Sequence, residues 1–222
     1  MAAVKLLDIG LMPYGNVLAT QEELFNTNLN AKAKEQPTSN TLILCEHPPV
    51  YTLGKSGKSQ NILVDRDNLN AELFQVTRGG DVTFHGPGQL VVYPILDLDT
   101  LSISVAQYVY NLEELIIQTI AEYDIVGERI EGASGVWIGA GTPKARKISA
   151  VGAKVSRHIT MHGLAVNVNT DLNWFSKIVS CGLANMGVTS LQQELGKPID
   201  MQQFKTIMLA KWQHVFHTEW SK

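Results

Sequence analysis

Twelve consecutive residues, Arg78-Gly79-Gly80-Asp81-Val82-Thr83-Phe84-His85-Gly86-Pro87-Gly88-Gln89, include four glycines and one proline. That composition sacrifices packing and backbone entropy in a strand. It makes sense where backbone must come close to a bound molecule, with Arg78 and His85 supplying donors at the two ends. A turn between two strands is the alternative. The run matches neither glycine signature of nucleotide phosphate binding. A second candidate is Cys181, in Ile178-Val179-Ser180-Cys181-Gly182-Leu183. Its glycine neighbour leaves room for backbone amides to face an oxyanion, although a lone cysteine is as readily a small buried hydrophobe. Cys45, within Leu42-Ile43-Leu44-Cys45, reads as strand core.

A nucleophilic thiol must ionise, and a pKa near 8.5 requires a cationic neighbour at neutral pH. Lys147, Lys154, Arg157, His158 and His162 are the candidates. Period-2 alternation places Lys147 on one strand face with Ser149 and Val151, and an inward lysine is unusual unless paired or functional. A solvated edge lysine is the alternative, and His162 reads equally well as a structural histidine. These residues point to cysteine-dependent acyl or thiol chemistry.

The elements that must position them follow from spacing. Val4, Leu6 and Ile9 suit a first strand, and Tyr14, Val17, Leu18, Gln21, Leu24 and Phe25 recur at helical spacing after Pro13. Residues 31–40 are polar and read as a loop. Thr41–Cys45 and Val50–Leu53 are short strands separated by His47-Pro48-Pro49. Ser104 and Gln107 resemble a capping box before an apolar stripe, and a last helix starts near Asp200. Val136–Ile138, Lys147–Val155 and Ile159–Val168 are strand-like runs, and residues 139–145 form a surface bulge. Strands and helices without strict alternation predict an α+β domain, a mixed β-sheet flanked by helices, spanning residues 1–222 as one unit.

With 45% hydrophobic and 18% charged residues and a net charge of −3, the chain has no basic footprint for nucleic acid. It has no metal-ligand motif, no disulfide framework and no apolar run of membrane-spanning length. Residues 1–10 lack the pattern of a targeting leader.

Three segments together resemble the lipoyl(octanoyl) transferases, the lipoate–protein ligase B family: RGGDVTFHGPGQ, RKISAVGAKVSRHITMHGLAVNVNTDL and SCGL. The likeness runs from about Val4 to Leu191, and residues 171–191 look similar to animal mitochondrial members. It implies the fold of biotin and lipoate ligases and an octanoyl transfer from octanoyl-acyl carrier protein. The acceptors implied are lysines of lipoyl domains in 2-oxoacid dehydrogenase complexes and of the glycine cleavage H protein. By position it implies Cys181 as acyl-thioester nucleophile and Lys147 as the residue lowering its pKa. Arg78, Gly79, Gly80, Asp81, Val82, Thr83, Phe84, His85, Ala150, Val151, Gly152, Gly163, Leu164 and Ala165 would line the acyl pocket, with glycines admitting the chain. No cofactor or metal is implied, because a thioester donor is already activated. The compartment implied is the mitochondrial matrix for an animal protein and the cytoplasm for a bacterial one. Ser180 departs from the family's proline before the cysteine, which loosens the entry to that loop. The rivals are an ATP-dependent lipoate or biotin ligase, which needs the lysine but no cysteine, and a non-catalytic scaffold binding carrier proteins or lipoyl domains.

Overall fold

The computed structural model describes residues 1–179 and 187–221. Cys181, Ser180, Gly182 and Leu183 lie outside the described residues. The chain opens with strand β1 (Ala2–Leu11), helix α1 (Tyr14–Ala33) and β2 (Asn40–Glu46). β1 and β2 pair in parallel, so α1 is the crossover that a parallel pair requires. The helix takes in the first three positions of the expected 31–40 loop. It stops where Lys34 donates to Ala31 and Lys32 carbonyls and Glu35 turns to φ 53°. Asn28 then ties helix to strand, donating to Ser39 O at 2.8 Å and accepting from Ser39 N at 2.9 Å.

β3 (Val50–Leu53), β4 (Glu72–Gln75) and β5 (Val82–His85) form a small sheet in the order β4-β3-β5. β6 (Gln89–Ile95), β7 (Gly135–Ile138), β8 (Arg146–Ser156), β9 (Ile159–Asn167), β10 (Gly187–Val188) and β11 (Thr218–Trp220) join β1 and β2 in the large one. Its order among the described residues is β10-β8-β9-β6-β2-β1-β11, with β7 also paired to β8. α2 (Val105–Ala121), α3 (Leu191–Leu195) and α4 (Met201–Phe216) complete the chain.

Alternation along the central strands sends side chains to two cores. Leu42, Leu44, Leu90, Val92, Leu164 and Val166 pack beneath α2 and α4, with Leu112, Phe204 and Trp212. Ile43, Cys45, Val91, Tyr93 and Ala165 face α1 through Tyr14, Val17 and Phe25. Tyr51, Val82, Phe84 and Phe175 make a third core under the small sheet. The α+β mixed sheet flanked by helices is therefore present as expected. The predicted capping box at α2 is half realised. Ser104 Oγ accepts from Gln107 N, but the Gln107 side chain donates to Asn111 instead of reaching back. Asp200 caps α4, accepting from Gln202 N and Gln203 N at 2.8 and 3.1 Å.

Two substitutions probe this scaffold by urea denaturation. Leu112→Ala removes a fully buried side chain from the α2–α4 core and is expected to cost about 2–5 kcal/mol. Asp200→Ala removes the α4 cap and is expected to cost about 1 kcal/mol.

Candidate active site

β5 shows how one strand serves two purposes. Thr83 and His85 line a narrow slot against the large sheet, whereas Val82 and Phe84 point the other way into the small sheet's core. Phe84 stacks on Trp174 at 5.1 Å there. Asp81 is also off the slot: its carboxylate accepts from Val82 N, Lys58 N and Asn61 Nδ2, organising the loop. Of the expected pocket residues, Arg78, Gly79, Gly80, Thr83, His85, Ala150, Val151, Gly152, Gly163, Leu164 and Ala165 reach the slot. Asp81, Val82 and Phe84 do not, because alternation turns the last two away and the first is spent on backbone amides.

Arg78 roofs the slot. Its buried guanidinium donates to Thr52 O at 2.6 Å, to Thr52 Oγ1 at 2.9 Å and to Gly79 O at 2.9 Å. Gly79 N donates to Ala153 O at 3.0 Å, docking the loop on the edge of β8 beyond the end of β7. The facing glycines Gly152 and Gly163 have different reasons to be glycine. A Cβ on Gly152 would meet Arg78 Cδ at 3.1 Å and Gly79 O at 3.3 Å, so its absence makes room for the roof. A Cβ on Gly163 would lie 2.3 Å from Val92 O and 2.5 Å from Pro94, so that glycine lets β6 approach β9 and does not serve to admit a ligand.

The inner end of the slot is aromatic, and Tyr14, Val91, Tyr93 and His162 join it without having been expected there. The Tyr14 ring lies parallel to His85, with centroids 6.1 Å apart, and meets His47 edge-on at 5.2 Å. His47 Nδ1 donates to Met12 O at 2.7 Å, which leaves Nε2 to accept from the Tyr93 hydroxyl at 2.9 Å. Gln89 Nε2 donates to Phe84 O and Asn167 Oδ1, so its Oε1 accepts from His85 Nδ1 at 2.7 Å. Burial holds the imidazoles neutral. His85 is pushed down to about 3 by desolvation, then by His47 and Arg78, and His162 to about 4 by desolvation, then by Arg78 and Lys154. Burial drives the Cys45 thiol well above its usual range, so it stays a thiol in the core, as its strand context implied.

Lys147 stands at the outer end. It is 8% exposed, its Nζ donates to Ser134 O at 2.9 Å, and it lies 4.6 Å from the Trp137 ring centroid. Its backbone is flanked by Trp137 of β7 and Val188 of β10. Of the expected sharing of a face, Val151 does line a surface groove with Lys147, whereas Ser149 does not. Trp137 pairs with Lys147 and Val136 with Ser149, so Ile148 is an extra residue, and a bulge breaks the alternation. Lys147 also lines a small cavity with Thr83, Ala150, Ala165 and Val188, while Ser149 Oγ is buried without a partner among the described residues. Thr83, Ala150 and Ala165 also line the slot, so the two spaces are contiguous. Of the other cationic candidates, Lys154 lies over the Phe25 ring and His158 pairs with Asp99, both away from the cavity of Lys147. Cys181 stands seven positions before Val188 in sequence.

Gly163→Ala is expected to lower stability by about 1–3 kcal/mol through overpacking, and by more than Gly152→Ala, in paired urea titrations. The neutral imidazoles set a second expectation. An unfolded histidine takes up a proton below about pH 6.5, whereas folded His85 and His162 do so only near 3 and 4. Stability is thus full above pH 6.5 and falls as pH drops, with each group contributing a slope that approaches about 1.4 kcal/mol per pH unit. Urea midpoints measured from pH 7 to 5 check this, and His85→Asn should flatten the slope.

Comparison with known proteins agrees with this architecture. Residues 13–213 match the lipoyl protein ligase A/B catalytic domain. The chain is 50% identical over 203 residues to an octanoyltransferase of Bacteroides thetaiotaomicron, covering 90% of this chain and 89% of that one. Among solved structures it resembles a bipartite lipoate protein ligase from Thermoplasma acidophilum, with a TM-score of 0.71 at 15% identity, covering 100% of this chain and 87% of that one. It also resembles the biotin protein ligase of Aquifex aeolicus, with a TM-score of 0.52 at 14% identity, covering 97% and 69%. The octanoyltransferase relatives are bacterial, so the likeness to animal mitochondrial members and a mitochondrial location find no support in them. A buried lysine beside a narrow slot, on this fold and at this identity, leads to one conclusion: the chain belongs to the lipoyl protein ligase A/B catalytic family, among its octanoyltransferases.

Proposed function

We propose that this chain carries an octanoyl group as a thioester on Cys181 and passes it to a lysine of a lipoyl domain. Octanoyl transfer in protein lipoylation is the activity to which its family membership assigns it. The donor is octanoyl-acyl carrier protein, and the acceptors are the lipoyl domains of 2-oxoacid dehydrogenase complexes and the glycine cleavage H protein. Residues 1–222 act as one catalytic unit, and with bacterial relatives its compartment is the cytoplasm. No cofactor enters the reaction.

The observation that carries this reading is the placement of Lys147, buried where the slot meets the cavity shared with Val188. The acyl chain lies in the slot with its carbonyl toward Lys147. The Cys181 thiolate attacks the donor carbonyl, a carbon–sulfur bond forms, and the donor leaves as a thiol after taking a proton. The acceptor amine then attacks the same carbonyl, the amide forms, and the cysteine sulfur leaves. A nearby ammonium favours the thiolate in the first half, and Lys147, once neutral, takes the amine's proton in the second.

Incubation with octanoyl-loaded acyl carrier protein, without ATP, followed by intact mass measurement tests the reading. One octanoyl adduct is expected, released by hydroxylamine and absent from Cys181→Ser. If acyl transfer instead requires free acid and ATP, the chain is a ligase and the thioester route is wrong. Lys147→Met is expected to slow adduct formation by about 10²-fold or more. Its rate should also rise only toward higher pH, as the thiol returns to a pKa near 8.5.

A further inference from the structure

We propose that His162 is the end-stop of the acyl slot and, held by Gln21, sets the acyl chain length the enzyme accepts. This rests on the reading of the slot as the acyl site. The slot runs along the strands from the junction beside Lys147, where Thr83, Ala150 and Ala165 line both spaces, to Tyr14, Tyr93 and His162. Those last three are 2%, 3% and 2% exposed, so the inner end is closed.

The length of the slot fits the chain. Ala165 and His162 are three residues apart on β9, about 10 Å at ~3.3 Å per residue. An extended eight-carbon chain with bonds of ~1.5 Å spans about 9 Å, and two further methylenes add about 2.5 Å. Nothing on the floor before His162 is larger than alanine at the facing positions Ala150, Ala165, Gly152 and Gly163. Leu164 lines the slot but packs in the core beneath α2 and α4, so His162 is the bulky β9 side chain that stands across the path of a lengthening chain.

The backbone shows how the ring is held there. β9 alternation gives the slot face to Gly163 and Ala165, which would turn residue 162 away. His162 instead adopts φ 60°, a left-handed conformation uncommon in non-glycine residues. Its N–H donates to Gln21 Oε1 at 3.0 Å, and its Nε2 lies 3.4 Å from Thr77 Oγ1. Gln21 is fully buried on α1, and its Nε2 finds no partner among the described residues. An apolar residue there would avoid that cost, so the glutamine serves through its oxygen, and what that oxygen holds is His162. The neutral ring offers an acyl terminus an uncharged wall.

The test measures kcat/KM for acyl carrier protein loaded with six- to twelve-carbon chains. His162→Gly opens the end and relieves the backbone, and His162→Asn shortens the side chain while tolerating the left-handed conformation. Both are expected to raise the ten- to eight-carbon ratio by about tenfold, since each buried methylene is worth roughly fourfold. Gln21→Met should broaden the profile in the same direction, and Gln21→Glu, which keeps the acceptor oxygen, should restore it. An unchanged profile in active His162→Gly and His162→Asn overturns the proposal. If the wild type transfers no acyl group from any thioester, the functional reading fails separately. Binding of free octanoic and decanoic acid then decides the slot's length: a shift toward decanoic acid in His162→Asn supports the end-stop, and no shift overturns it.

Discussion

A buried guanidinium joins the two sheets of this protein. Arg78 binds Thr52 of the small sheet through three contacts and Gly79 O in its own loop, and Gly79 in turn docks on Ala153 at the edge of the large sheet. Burying such a charge is tolerable only when its donors are satisfied, and here their acceptors are the groups that fix the roof over the slot. The same charge helps to hold His85 and His162 neutral. Shape and electrostatics of the slot therefore depend on one side chain.

Beneath that roof, strand parity allots the work. β5 gives alternate residues to the slot and to a core, so a stretch of sequence that looks uniformly functional is half structural. Around the slot, parity is broken at Ile148 and at His162, and both matter. The bulge at Ile148 brings Lys147 into the cavity beside Ala150, and the left-handed His162 brings a ring into the closed end. The regular pleat builds the walls, and its two irregularities place the polar groups at either end.

This division explains what could be read from the residues. β3, β7, β8, β9 and α4 follow from apolar periodicity and turn residues, because those signals are local. The lysine strand and the glycine-rich loop were legible as chemistry because lysine and glycine are unusual in strands. The bulge was not legible, since an extra residue leaves no mark in a run where Ile148 suits a strand anyway. Nor were Tyr14 and Tyr93, which look like ordinary core residues until α1 and β6 are brought together. The purpose of Gly163 was misread for the same reason: its constraint comes from Val92 and Pro94, some seventy residues earlier in the chain.

Cys45 has a practical consequence of a different kind. It lies fully buried between β1 and β6, with its thiol kept protonated by its surroundings. In the native protein that sulfur is silent toward alkylating reagents at neutral pH, and only one other cysteine exists in the chain. Thiol labelling of the folded protein therefore leaves Cys45 out. Any label that the folded protein takes up reports on the other sulfur, without Cys45 having to be engineered away.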